Sequence, residues 1–63
     1  MTYEVRKAYN NTFDRVLGSW EEVMAFVARK ATKMNYGIYR HWEIDGVSYF
    51  DCGPTVYKVE RKS

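Results

Sequence analysis

Apolar and polar residues change their period twice along this chain. From Thr2 to Tyr9 they alternate, with Tyr3, Val5, Lys7 and Tyr9 on one side and Thr2, Glu4, Arg6 and Ala8 on the other. Alternation is the signature of a half-buried strand. It predicts Tyr3, Val5 and Tyr9 inward, with Lys7 near an edge where its stem can snorkel. Asn10-Asn11 then reads as a turn, because Asn tolerates the left-handed region. The stretch from Thr12 to Gly18 has no clear period. Phe13, Val16 and Leu17 need burial, either in a short strand hairpinned to the first or in an ordered loop beneath the helix that follows.

The period lengthens after Ser19. Trp20, Val23, Met24, Val27, Ala31 and Met34 form one helical stripe, with Phe26 on its flank. Ser19-Trp20-Glu21-Glu22 is a capping box: the Ser19 hydroxyl accepts from the Glu22 amide, and the Glu22 carboxylate returns to the Ser19 amide. Glu21 and Glu22 also sit at the positive end of the helix dipole. Arg29, Lys30 and Lys33 take the polar side and the favourable C-terminal end. Asn35 and Gly37 supply the stop, Gly37 as a left-handed cap.

Alternation returns from Tyr36 to Tyr57. Asp45-Gly46 between two aromatic, β-branched runs is a strong hairpin signal, since both central residues of a type I′ turn need φ > 0. The turn sets the register. Ile44 faces Val47, Trp42 faces Tyr49, Arg40 faces Asp51 and Ile38 faces Gly53 on one side of the sheet. Glu43 faces Ser48, His41 faces Phe50 and Tyr39 faces Cys52 on the other. A slip of one residue would exchange the two sides. Gly53-Pro54 breaks the ladder. A last strand runs from Thr55 to about Arg61, with a frayed tail at Arg61-Lys62-Ser63. The loops after the helix are too short for a parallel crossover, so strands 36–44, 47–52 and 55–61 form a meander.

The expected fold class is therefore α/β in the two-layer α+β sense. One amphipathic helix packs on a three- to five-stranded, mainly antiparallel sheet in the order β-(β)-α-β-β-β, as a single domain over residues 1–63. At 63 residues a chain has little surface to bury. The two Trp, six Tyr and three Phe compensate, since each aromatic brings a large buried area with few rotors. The net charge of +2 permits an acidic partner without pointing to one. A dedicated duplex binder carries a denser basic stripe. One cysteine excludes an internal disulfide and a cysteine-based zinc site, and it is compatible with a reducing compartment. No apolar leader and no run of about 20 apolar residues is visible. The expectation is a complete cytoplasmic chain without a membrane segment.

Chemistry is sparse. Cys52 and His41 are the one available nucleophile–base pair and share a sheet side, but the sequence supplies neither an orienting group nor an oxyanion hole. A strand cysteine ordinarily packs as a small hydrophobe. His41 and Glu43 share a side within one strand, and two ligands do not make a metal site. No catalytic residue, metal ligand or cofactor is therefore expected. The unusual feature is aromatic character on both sides of a hairpin in a chain with one helix. Tyr39, His41 and Phe50, with Tyr57 or Tyr3, flanked by Arg6, Arg40, Lys58 and Arg61, make the candidate partner-binding surface, and the Arg40–Asp51 pair is expected to fix the register. Aromatics with arginine describe protein-interface hot spots. They also describe platforms that stack unpaired bases, although no motif of a basic residue, glycine and alternating aromatics is present. Ordinary cross-strand packing is the third account.

In size and aromatic density the chain resembles the small accessory proteins of bacteriophages and mobile elements, many of which bind and inhibit one host or defence protein. That resemblance covers the whole chain and carries over no residue. It implies a non-enzymatic protein-binding regulator or inhibitor, whose partner is another protein or a second copy of the chain. A single-stranded nucleic-acid binder using the same surface is the alternative.

Overall fold

The computed structural model describes residues 1–33 and 40–62. Strands β1 (Thr2–Lys7) and β2 (Thr12–Leu17) form an antiparallel hairpin. Helix α1 (Trp20–Lys33) then crosses to the other side of the sheet, where β3 (Arg40–Ile44), β4 (Val47–Asp51) and β5 (Val56–Lys62) form the meander. β5 returns beside β1, so the sheet has five strands in the order β2-β1-β5-β4-β3, all antiparallel. The α+β expectation holds, and 12–17 is a strand.

Local chemistry accounts for the boundaries. Asn11 closes the first turn at φ 60°, where its side chain tolerates the left-handed region. The Asn10 side chain accepts the Thr12 amide at 3.0 Å. β1 therefore ends at Lys7, and Tyr9, expected inward, sits on the turn at 68 % exposure. At the start of α1 the Glu22 amide donates to the Ser19 hydroxyl at 3.1 Å. The Glu22 carboxylate takes the Gly18 amide at 3.4 Å instead of the expected Ser19 amide. Asp45 and Gly46 turn at φ 52° and 79°, and the β3–β4 register is the expected one throughout the described residues. At the C-terminus the expected fraying gives way to pairing, with Tyr3 opposite Arg61 and Thr2 opposite Lys62. The helix stop at Asn35 and Gly37, the strand start at Tyr36 and the pairings of Ile38 and Tyr39 lie outside the described residues.

One row of parity builds the core. Val5, Val59, Tyr57, Phe50 and Cys52 from the sheet meet Val23, Phe26, Val27 and Ala31 from α1, all buried. Phe26, expected on the flank, is central: its ring meets Tyr57 edge-on at 5.1 Å between centroids. Arg15 closes the core's rim with its guanidinium 4.5 Å above the Phe26 ring. Such a cation–π contact keeps the charge near water while the stem covers apolar surface.

Two predictions follow from this packing. Truncating Phe50, which is 0 % exposed, costs about 3–5 kcal/mol for Phe→Ala. Stability of a domain this small is about 0.05–0.15 kcal/mol per residue, so Phe50→Ala is expected to remove a large part or all of it. Urea titration followed by circular dichroism checks it; a midpoint close to that of the parent would refute the assignment. At Gly46 an added Cβ would meet nothing within 4 Å, so Gly46→Ala is expected to cost only the backbone penalty, about 1–2 kcal/mol.

Candidate functional site

Among the described residues no helix lies over the second sheet surface. Its side chains come from the positions that alternate with the core. Reading across the strands, the register places Trp42, Tyr49, Lys58, Arg6 and Phe13 in one row from β3 to β2. Ile44 and Val47 flank the row on one side, and Arg40, Asp51 and Val56 on the other. Phe13 joins it because the β1–β2 register shifts between Val5 and Arg6. The extra residue of that bulge, Asp14, brings Phe13 opposite Arg6, whereas Arg15 stays on the core side opposite Val5. Bulges re-aim side chains in this way.

The row is well formed. The Trp42 and Tyr49 rings stack at 5.7 Å with 6° between planes. The Arg6 guanidinium lies 5.7 Å from the Phe13 ring. It is held from both sides: its Nε donates to Glu4 at 2.9 Å, and its Nη1 donates to the Asn11 carbonyl at 2.9 Å. The Arg6 Nε–Glu4 hydrogen bond, aided by the positive field of Arg6, Lys62 and Lys58, outweighs desolvation and holds the Glu4 carboxyl below its ordinary range. Trp42 and Phe13 remain 39 % and 52 % exposed. Phe13 and Val16, which the sequence reading required to be buried, are both half-exposed on this surface. Lys58, Arg6, Arg40 and Lys62 share it with Glu4, Asp51 and Glu60, so its charge is mixed.

The candidate residues named from sequence divide between the two surfaces. Phe50 and Tyr57 lie under the helix at 0 % and 2 % exposure, so neither is open to a partner. His41 is exposed at the edge of that same side, its ring stacked on Phe50 at 4.4 Å with 11° between planes. Arg40 lies on the open surface, and Tyr39 falls outside the described residues. Arg40 does stand opposite Asp51, but among the described residues no ion pair joins them. The Asp51 carboxylate instead accepts the Gly53 amide at 3.0 Å, shaping a turn in which Gly53 has φ 107°. The sequence reading named Arg6 and Lys58 only as basic flanks of the other side, and it missed Trp42, Tyr49 and Phe13. A signal for them was present: β5 alternates Tyr57 and Val59 with Lys58 and Glu60. Carrying that alternation across the Gly53-Pro54 turn puts Phe50 with Tyr57 on the apolar side.

Two further places hold chemistry-bearing groups. Cys52 is fully buried, and its Sγ donates to the Val27 carbonyl at 3.8 Å. Burial pushes its thiol above the ordinary value of 9.0, and the Asp51 charge adds to the effect. On the helix side, a half-open recess of about 300 Å³ is lined by Tyr3, Trp20, Glu43, Ser48, Val59 and Arg61. Trp20 forms its wall, 5.6 Å from Tyr3 and 6.1 Å from His41 between ring centroids. Its volume is at the lower end for small-molecule sites. No three His, Cys, Asp or Glu side chains gather as metal ligands among the described residues. No helix among them is long and apolar enough to cross a membrane.

The buried thiol predicts slow chemistry. Alkylation of Cys52 by iodoacetamide at pH 8 is expected to run about a hundredfold slower than that of free cysteine, because the attacking thiolate needs both opening and deprotonation. Urea should restore the free rate. The sign with pH also follows. The unfolded thiol releases its proton near 9.0 and the folded one only above that, so stability falls as pH rises through this range. Cys52→Ala should lessen that fall; rapid alkylation in the absence of urea would contradict the burial.

Comparison with protein-family models, curated proteins and solved structures finds no match to this chain.

Proposed function

We propose that this chain is a non-enzymatic protein-binding regulator or inhibitor that works through the open surface of its sheet. The observation that carries the reading is the row Trp42–Tyr49–Lys58–Arg6–Phe13, a partly exposed aromatic and cationic line across all five strands on the side opposite the helix. Trp, Tyr and Arg are the residues enriched at interface hot spots, and large exposed apolar patches mark partner sites. The hydrogen bonds that hold Arg6 support the same reading, since an ordered guanidinium loses less freedom on binding. The resemblance in size and composition to phage and mobile-element accessory proteins favours a regulator or inhibitor among binding roles.

A specific observation also favours single-stranded nucleic acid. The stacked pair Trp42–Tyr49, with Arg40 and Lys58 beside it, has the composition of a base-stacking platform. The carboxylates of Glu4, Asp51 and Glu60 on the same surface weigh against it, because each repels a phosphate chain. They suit a protein partner of mixed charge, where complementary pairs set specificity and encounter rate.

Site-specific photocrosslinking in the source cells tests the reading. A photoreactive phenylalanine is placed at Tyr49 on the open surface, and at Ala28 on the exposed side of α1 as a control. One discrete protein adduct from Tyr49, lost when Trp42→Ala and Arg6→Ala are added and absent from Ala28, is the expected result. Equal adducts from both positions, or none from either, would overturn it. A titration with mixed single-stranded oligonucleotides decides the alternative: tight binding that falls steeply with salt would replace the protein reading with the nucleic-acid one.

A further inference from the structure

The two edges of the sheet differ. β2 ends it on one side, and its bulge at Asp14, the Asp14–Arg15 ion pair at 2.7 Å and a turn at each end interrupt its outer side. Bulges and charges are the usual protection of an edge strand. β3 ends it on the other side; it carries Arg40 and Glu43 and ends at the Asp45-Gly46 turn, but its pairing with β4 has no bulge. It is regular over Arg40–Ile44, contains neither proline nor glycine, pairs with no described strand on its outer side, and is exposed at all five residues. An edge of this kind is a template for another strand.

The hairpin turn identifies which groups the edge offers. In a two-residue hairpin the residues flanking the loop form a hydrogen-bonded pair, and hydrogen-bonded pairs then alternate along the ladder. Ile44 opposite Val47 is the flanking pair. Ile44, Trp42 and Arg40 therefore direct their N–H and C=O groups toward β4. His41 and Glu43 direct theirs outward, away from the sheet.

We propose that a second copy of this chain occupies that edge, with two β3 strands antiparallel about a two-fold axis through Trp42. In this register His41 faces the partner's Glu43, and Glu43 faces the partner's His41. Each such pair exchanges both backbone N–H···O=C bonds, so all four outward-pointing groups of each β3 are satisfied. The side chains of the same pairs are an imidazole and a carboxylate, a favourable cross-strand combination. Trp42 meets the partner's Trp42 at the close, non-hydrogen-bonded position, and each Ile44 lies against the stem of the partner's Arg40.

The alternatives satisfy less. An axis through Glu43 sets two carboxylates directly opposite, which is destabilising. An axis through His41 sets the two imidazoles directly opposite in place of the imidazole–carboxylate pairs. A two-fold axis in the plane of the sheet, along the strands, would make the two β3 strands parallel, which is the less stable pairing, and place the helices on opposite surfaces. In the proposed arrangement both helices lie on one side of a ten-stranded sheet. The two open surfaces become continuous, and the Trp42–Tyr49 stacks meet at the axis.

A mass measurement with paired charge variants tests this on the purified chain alone, independently of whether the open surface binds a partner. Light scattering behind size exclusion is expected to give twice the 7.5 kDa of one chain at high concentration, falling toward one chain on dilution. His41→Glu sets two carboxylates across the axis and Glu43→Lys removes the carboxylate that faces His41, and each is expected to weaken the dimer about tenfold or more. Mixing the two variants pairs the original histidine with the original glutamate, and the introduced lysine with the introduced glutamate. The mixture should therefore form a heterodimer where neither variant dimerises well alone. Amide spectra of each variant confirm that it is folded. Three outcomes would overturn the proposal: a mass of one chain at every concentration up to about 1 mM, a dimer that both variants leave unchanged, or variants whose mixture is no tighter than either alone.

Discussion

A helix is about 10 Å across, and five strands spaced about 4.8 Å apart span roughly 19 Å between the outermost axes. The chain has one helix of 14 residues for a sheet of that width. Most of the structure follows from this mismatch. α1 covers the middle of one surface, where Val5, Val59, Tyr57 and Phe50 pack against Val23, Phe26 and Val27. It cannot cover the outer strands, so even the helix side is unfinished at β3, where His41 stays exposed while Phe50 beneath its ring is fully buried. Aromatic and cationic side chains finish the rim. Trp20 reaches from the first turn of α1 to Tyr3, His41 and Phe50, and Arg15 lies over Phe26. Such groups seal a core that is too wide for its cover, because one end of each is apolar and the other tolerates water.

The same mismatch leaves the opposite surface without any cover. Burying it would take a second helix, which the described residues do not include, and it carries charges among its aromatics. Lys58 and Arg6 lie at its centre, between the Trp42–Tyr49 stack and Phe13. Central charges limit the continuous apolar area and oppose indiscriminate association. They also make the surface selective, since a partner must match them as it covers the rings.

The sequence made the local decisions legible and left the choice of covered surface open. The Asp45-Gly46 turn determined the β3–β4 register, because only a few residues take positive φ without strain. Ser19 and Glu22 marked the start of the helix for a comparably local reason. The choice of surface depends on contacts distant in sequence. Within residues 40–51 both sides carry rings, so the hairpin alone cannot say whether Phe50 or Trp42 faces the core. β1 and β5 decide it: Val5 opposite Val59 leaves Arg6 opposite Lys58, and two cations cannot go beneath a helix. Phe13 escaped for another reason. A bulge inverts the alternation of β2 at Asp14, and no residue type in Thr12–Leu17 requires one.

The contrast between the edges bears on how such a chain stays a defined species. A short sheet with one bulged edge and one regular edge extends more readily at the regular one. Pairing at β3 about a two-fold axis consumes the regular edge of both copies and leaves only bulged β2 edges outside, so growth stops at two. A head-to-tail arrangement would have to seat β3 on the β2 edge of the next copy, where the bulge at Asp14 breaks the run of pairing groups. The bulge thus has two consequences that share one cause. It turns Phe13 onto the open surface, and it closes the far edge to the strand addition that β3 invites.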